Sequence, residues 1–476
     1  MDSIRQRFYT RLWASGCAWA FSGMIWCAVA AAAAPDQNWP QWRGPLQNGV
    51  APSAEPPTTW SETSNVLWKV KIPGYGAATP IIWEDKVFVQ TAVPTGKKAE
   101  PKAGDTAEKS GAADAPPPPR PDGPGGPRKG KGRGGMGGGM KPTEVYQFTV
   151  LCLQRQTGKV LWQKLAREEL PHEGYRQGEG SFASPSGLTD GQHVFAHFGS
   201  RGLFCYDLDG NAAWKRDLGK MRIAMGFGEG SSPTLYKDAL IVNWDNEDSS
   251  FITALNKHTG ETLWKKPREE RTSWSTPLVI EQGGKAQIVV TATGKIRSYD
   301  AASGDVLWEC GGLTRNVIPS PVTEDGMVYC LSGFQGNALL AIRLGRTGDL
   351  TGTDAIAWQH NKSTPYVPSP LLYGHKLYFF ANNTGVLSCL DAKTGQAFID
   401  AERMEDLSGV YASPLGAAGR VYLVGRNGVT VVLKESDKLE VLATNRLDEK
   451  FDASPAAVGK QLFLRGHEYL YCLAEK

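Results

Sequence analysis

The sequence predicts an all-β fold, an eight-bladed β-propeller of four-stranded blades, closed by an N-terminal strand in the last blade. Three observations predict it. A small residue followed by Ser or Thr and then Pro recurs eight times, the same order of strands and turns follows each recurrence, and the strand missing from the last unit stands ahead of the first. Repetition at such a period marks solenoids and propellers, so it is read before any domain count from length.

The motif occurs at Thr79-Pro80, Ser184-Pro185, Ser232-Pro233, Thr276-Pro277, Ser320-Pro321, Ser369-Pro370, Ser413-Pro414 and Ser454-Pro455. After the first gap the prolines stand 48, 44, 44, 49, 44 and 41 residues apart; the first gap of 105 contains a low-complexity insert at residues 94–144. In each unit an apolar stretch leads into a β-rich run, as at residues 86–90, 239–243 and 376–380. A third strand ends near Leu-Asp, as at Leu390-Asp391, and a turn follows at Thr157-Gly158, Thr259-Gly260, Ser303-Gly304 or Thr394-Gly395, where Gly permits positive φ. The fourth strand carries Trp162, Trp214, Trp264, Trp308 or Trp358. Short runs bounded by turn signals are strands, and four per repeat is propeller arithmetic. The last unit stops after its third strand, and Val66-Leu67-Trp68-Lys69-Val70 supplies the fourth from the other end. A solenoid would need no such exchange.

Residues 1–34 read as a targeting segment: Arg5, Arg7 and Arg11 precede an apolar run ending in alanines, with Ala31-Ala32-Ala33 as a cleavage site. The run is also long enough, at roughly twenty residues, to remain as a membrane anchor. Export to the periplasm or beyond is expected either way. Residues 35–64 form an N-terminal extension and 65–476 the propeller. Lys+Arg 52 against Asp+Glu 49 gives +3, too small an excess to predict a nucleic-acid partner. The insert has no Leu, Ile, Val, Phe, Tyr or Trp; it cannot bury enough apolar area to offset its ordering entropy and is expected to be disordered. Its second half is basic, which suits either a solvated insertion or an arm for anionic polymers. Cys152, Cys205, Cys389 and Cys472 share one repeat slot with Ala254, Ser298 and Ala341, a small buried position. Cys310 and Cys330 are the one pair left open to bridging.

Strings such as SPLLYGHKLYFFANNTGVLSCLDAKTGQAF and STPLVIEQGGKAQIVVTATGKIRSYDAASGDVLW resemble the repeat of pyrroloquinoline-quinone (PQQ) type propellers. That family includes quinoprotein dehydrogenases and an assembly factor for outer-membrane barrels. The opening NWPQWRGPLQNGV resembles the start of exported propellers of unassigned function from planctomycete-type bacteria. The resemblance implies that Trp68, Trp162, Trp214, Trp264, Trp308 and Trp358 dock onto neighbouring blades. Blades six and seven depart, with Phe398 and Leu442.

The resemblance fixes fold far better than activity. There is no adjacent Cys-Cys pair and no Cys-x-x-Cys-His haem attachment. Asp245-Asn246-Glu247-Asp248 has oxygen ligands but not the spacing of a known Ca²⁺ loop, and reads as a solvated turn. His193 and His197 lie on one strand, roughly 13 Å apart by strand rise, too far for a shared metal. No catalytic residue is assigned.

The segments entering each Ser/Thr-Pro motif converge on the mouth of the central channel. They nominate Arg176, Glu179, Phe182, Glu229, Arg271, Trp274, Arg315, Asn316, Tyr366, Tyr411 and Asp452 as ligand-binding residues. The expected function is a non-catalytic, monomeric binding or scaffold module for envelope proteins or polymers, without a cofactor. The alternative is a PQQ-dependent sugar or alcohol dehydrogenase, with Ca²⁺ among Glu179, Glu229, Asn316 and Asp452.

Overall fold

The computed structural model describes residues 35–98, 139 and 141–475. The targeting segment lies outside them. Among the described residues no helix is long and apolar enough to cross a membrane. Eight sheets form the propeller ring; their main strands are antiparallel and neighbours in sequence order, except that the outer strand of the last blade comes from the N-terminal side. Blade one is Ile81–Trp83, Lys86–Lys98, Glu144–Gln154 and Val160–Glu169; blade eight is Ala456–Val458, Gln461–Arg465, Tyr469–Leu473 and the N-terminal strand Val66–Lys71. That closing strand pairs antiparallel with Tyr469–Leu473, Trp68 opposite Cys472 and Lys71 opposite Tyr469. Blade four carries a fifth, two-residue strand, Gly348–Asp349, lent by the next blade and paired parallel to Val306–Cys310.

The docking tryptophans follow a rule the repeat alone does not state. The indole N–H of Trp68, Trp162, Trp214, Trp264 and Trp358 donates to a carbonyl in a turn of the following blade: Arg155, Leu208, Lys257, Ala301 and Ala392 respectively. The ring face lies against that turn's glycine. A Cβ on Gly260, at φ +72°, would stand 2.7 Å from Trp214. Trp308 is the correction: blade five replaces its short turn with residues 344–355, and Trp308 donates instead to Gln287 of its own blade. Phe398 and Leu442 fall where the following blade has no such glycine. A tryptophan docks where a glycine turn receives it.

A second ring runs round the channel. The backbone N–H of Thr79 donates to Ser186 Oγ, Ser186 to Ser232, Ser232 to Thr276, Thr276 to Ser320, Ser320 to Ser369, Ser369 to Ser413 and Ser413 to Ser454. Thr79 Oγ1 closes the circuit on the Ser454 carbonyl. Each blade is therefore tied to the next by the hydroxyl of its repeat motif. In blade two the linking residue is Ser186, two positions beyond Ser184 of the motif.

The N-terminal extension seals one end of the channel. Trp39 makes a two-bond bridge with Ile82 of blade one, Gln41 pairs with Leu188 of blade two, and Val50 with Gly416 of blade seven. Gln41 accepts from Thr234 of blade three and Gln47 from the Val279 N–H of blade four. Arg43 is buried among them, its guanidinium donating to the carbonyls of Pro414, Asn48 and Pro370. Gly49, at φ +91°, leaves room for it: a Cβ there would overlap the guanidinium.

The insert needs one boundary correction. Strand Lys86–Lys98 runs past Val93, with Pro94 opposite Tyr146 and Lys98 opposite Glu144. The ladder recruits these residues through backbone bonds, which need no apolar side chains. Most of the insert, residues 99–138 and 140, lies outside the described residues. All six described cysteines are buried free thiols; Cys310 and Cys330 share one core cluster without a bond.

Candidate functional site

The loops entering the motifs form a funnel above the hydroxyl ring, with a cavity of about 180 Å³. Arg176, Glu179, Glu229, Trp274, Tyr366, Tyr411 and Asp452 line it, so seven of the eleven nominated residues meet at one place. Its floor is Trp42 of the extension together with Ser186, Ser232, Thr276, Ser413 and Ser454 of the ring. Arg271, Arg315 and Asn316 are elsewhere, lining a neighbouring groove with Arg222, Glu247 and Phe334. Phe182 is a correction. It is buried in an aromatic cluster, edge-on to Tyr146, Tyr175 and Phe148, because blade one's long hairpin brings Tyr146 over it.

The carboxylates of the funnel are already engaged. Glu229 accepts from Arg201 Nη1 at 2.8 Å and from the Ser200 N–H at 2.7 Å, both partners buried. Glu179 stands 3.2 Å from Arg176, whose guanidinium lies over Phe227. Asp452 accepts from Arg426, Tyr75 and His467 Nε2. Arg426 in turn stacks 3.7 Å above the Tyr411 ring. This last network joins blade eight to loops of blades one and seven at the seam where the chain ends meet. The aromatics are held too: Trp274 donates to the Gly228 carbonyl at 2.7 Å, and Tyr366 stacks on Phe334.

Burial alone would raise the Asp452 carboxyl, but the bonds from His467, Arg426 and Tyr75 outweigh it and hold it below the usual range. A carboxylate depressed in the folded state stabilises the fold fully above its unfolded value, about 4. That contribution disappears as pH falls through the lowered folded value. Urea unfolding of Asp452→Asn against wild type should therefore give a gap at pH 6 that narrows markedly by pH 3. A gap independent of pH would assign the loss to packing instead.

Sequence reasoning missed Trp42, Phe227, Arg426, His467 and Tyr75. Only Trp42 carried a signal, in the tryptophan-rich opening. The Asp245–Asp248 stretch is also not the solvated turn expected: Asp245 and Asn246 are buried, Asp245 against Arg268, Asn243 and Ser273. Among the described residues the one grouping of His and carboxylates with metal-like spacing is Glu324, Asp325 and His375, on surface turns.

The family model described as outer membrane protein assembly factor BamB matches residues 147–398 and 248–476. No curated protein matches the sequence. Among solved structures, the quinohemoprotein alcohol dehydrogenase of Comamonas testosteroni aligns with TM-score 0.57 and 10% identity, covering 93% of this chain and 81% of that one. BamB of Moraxella catarrhalis aligns with TM-score 0.49 and 14% identity, covering 69% of this chain and 89% of that one. At such identities the likeness is one of fold.

Proposed function

Because the chain belongs to the PQQ-type propeller family described as outer membrane protein assembly factor BamB, we propose that it is an exported, non-catalytic binding module whose funnel grips an extended segment of an envelope protein. The observation that carries this is the composition of the funnel wall. Tyr366, Tyr411, Trp274 and Arg176 are the residue types that dominate binding energy at protein interfaces, and each is already held by a neighbour, Tyr411 by Arg426. Held side chains lose less entropy on binding. The cavity of about 180 Å³ is below the roughly 300–1,000 Å³ of sites that enclose a small molecule. It suits one or two side chains of a larger partner.

The quinone alternative fits the residues poorly. Ca²⁺ takes six to eight oxygens, several of them carboxylate. Here Glu179, Glu229 and Asp452 are each bonded to an arginine, and Asn316 lines another groove.

The test is calorimetric titration of the purified protein with peptides cut from the strands of outer-membrane barrels, beside PQQ with and without Ca²⁺. Saturable peptide binding that weakens at least tenfold in Tyr411→Ala, with the melting temperature held, supports the module. Ca²⁺-dependent binding of one quinone per chain, or peptide binding indifferent to Tyr411, would overturn it.

A further inference from the structure

The channel floor holds a fully buried cation with no counter-charge among the described residues. Arg43 is 3% exposed, and among the described residues no carboxylate pairs with it. Three carbonyls hold its terminal nitrogens, while its Nε–H has no partner. Burying an unpaired charge is costly, and neutral carbonyls offset only part of that cost. Burial accordingly pulls the guanidinium down to about 9.

Beside Arg43 lies a small cavity between the extension and blades three to five, about 10 Å³, which is room for one water-sized occupant. Its polar wall is rich in donors, with the Thr234 oxygen, whose proton goes to Gln41, as an acceptor among them. Thr276 and Ser320 use their oxygens to accept the ring's N–H bonds, which leaves both hydroxyl protons without an acceptor among the described residues. The Oε1 atoms of Gln41 and Gln47 accept from Thr234 and from the Val279 N–H, which leaves both NH₂ groups without an acceptor among the described residues. No carboxylate lines the space. Where donors outnumber acceptors round a buried cation, an anion is favoured over water.

We propose that this cavity binds a small monovalent anion of chloride size, which completes the charge balance of Arg43 and locks the extension onto the ring. The site shares Trp42 and Thr276 with the funnel floor, but its test uses neither Tyr411 nor a peptide, so it stands or falls separately from the protein-segment reading.

The measurement is thermal unfolding of the purified protein at constant ionic strength, with chloride or bromide replacing gluconate. At about a hundredfold excess over its dissociation constant, the halide should raise the midpoint saturably by about 3 °C. The rise should vanish in Arg43→Met and shrink at least twofold in Thr276→Val, which keeps the cation and removes one donor. Should Arg43→Met fail to fold, crystals grown in bromide decide the question by anomalous scattering. A bromide peak within bonding distance of Arg43 Nε and Thr276 Oγ1 supports the site. Water alone at that position, or an undiminished halide effect in Thr276→Val, overturns it.

Discussion

Asp245→Ala should cost the fold about 3–5 kcal/mol, the range for removing one partner of a buried ion pair. Both side chains of the Arg268–Asp245 pair are wholly inaccessible. Arg268 donates to both carboxylate oxygens, at 2.7 and 3.0 Å, and to the Tyr299 hydroxyl of the next blade. Burial would lower the guanidinium, but Asp245 and its neighbours more than reverse this, so Arg268 stays charged. Without Asp245, that charge would remain inside the junction of blades three and four with one hydroxyl for a partner. Denaturant midpoints at neutral pH measure the loss. Lys266→Ala is the control: it breaks the exposed Lys266–Asp305 pair and should change stability by no more than about 1 kcal/mol. Similar losses in both variants would mean that the buried pair is not a keystone.

Trp39→Ala is the other large effect, at about 3–5 kcal/mol for a buried aromatic. Trp39 is 1% exposed and sits in the same core cluster as Trp60, Ile82 and Leu415. Gly44 folds back onto its ring, where a Cβ would approach to 2.7 Å. The extension has little regular structure of its own, and among its several ties to the ring this is the largest side chain it buries there in full. Calorimetry should show one transition at lower temperature. A separate early transition that leaves the main one unchanged would mean that the extension is an appendage to the ring.

The repeat was legible because it is written in local chemistry. Proline fixes φ, glycine turns need positive φ, and β-rich runs alternate over a few residues. The closing strand could be found by counting strands. What depends on a neighbouring blade was not legible. Trp308 matches the other tryptophans in sequence, and its different bond follows from a turn forty residues on. Ser186 replaces Ser184 in the hydroxyl ring because blade two's inner strand starts two residues later. The funnel could be predicted from loop convergence, which brought seven residues together. Phe182 shares their place in the repeat and is buried through contacts with Tyr146 and Tyr175. Tyr75, Arg426 and His467 lie in three different loops, and nothing in their local sequence announces that they meet at Asp452.

The closing strand also sets a schedule for biosynthesis. Val66–Lys71 emerges early, yet its partner Tyr469–Leu473 is made about 400 residues later. At ribosomal speeds of about 5–20 residues per second, the delay is on the order of tens of seconds. Throughout it the nascent chain carries an unsatisfied strand at one end and an incomplete blade at the other, the kind of edge that recruits foreign strands. Lys69 and Lys71 stand on that strand, and charge at a lone edge is a common deterrent to mispairing. In the finished ring the same lysines lie over the Tyr469 ring of the partner strand. The residues that would guard the waiting strand become part of its latch.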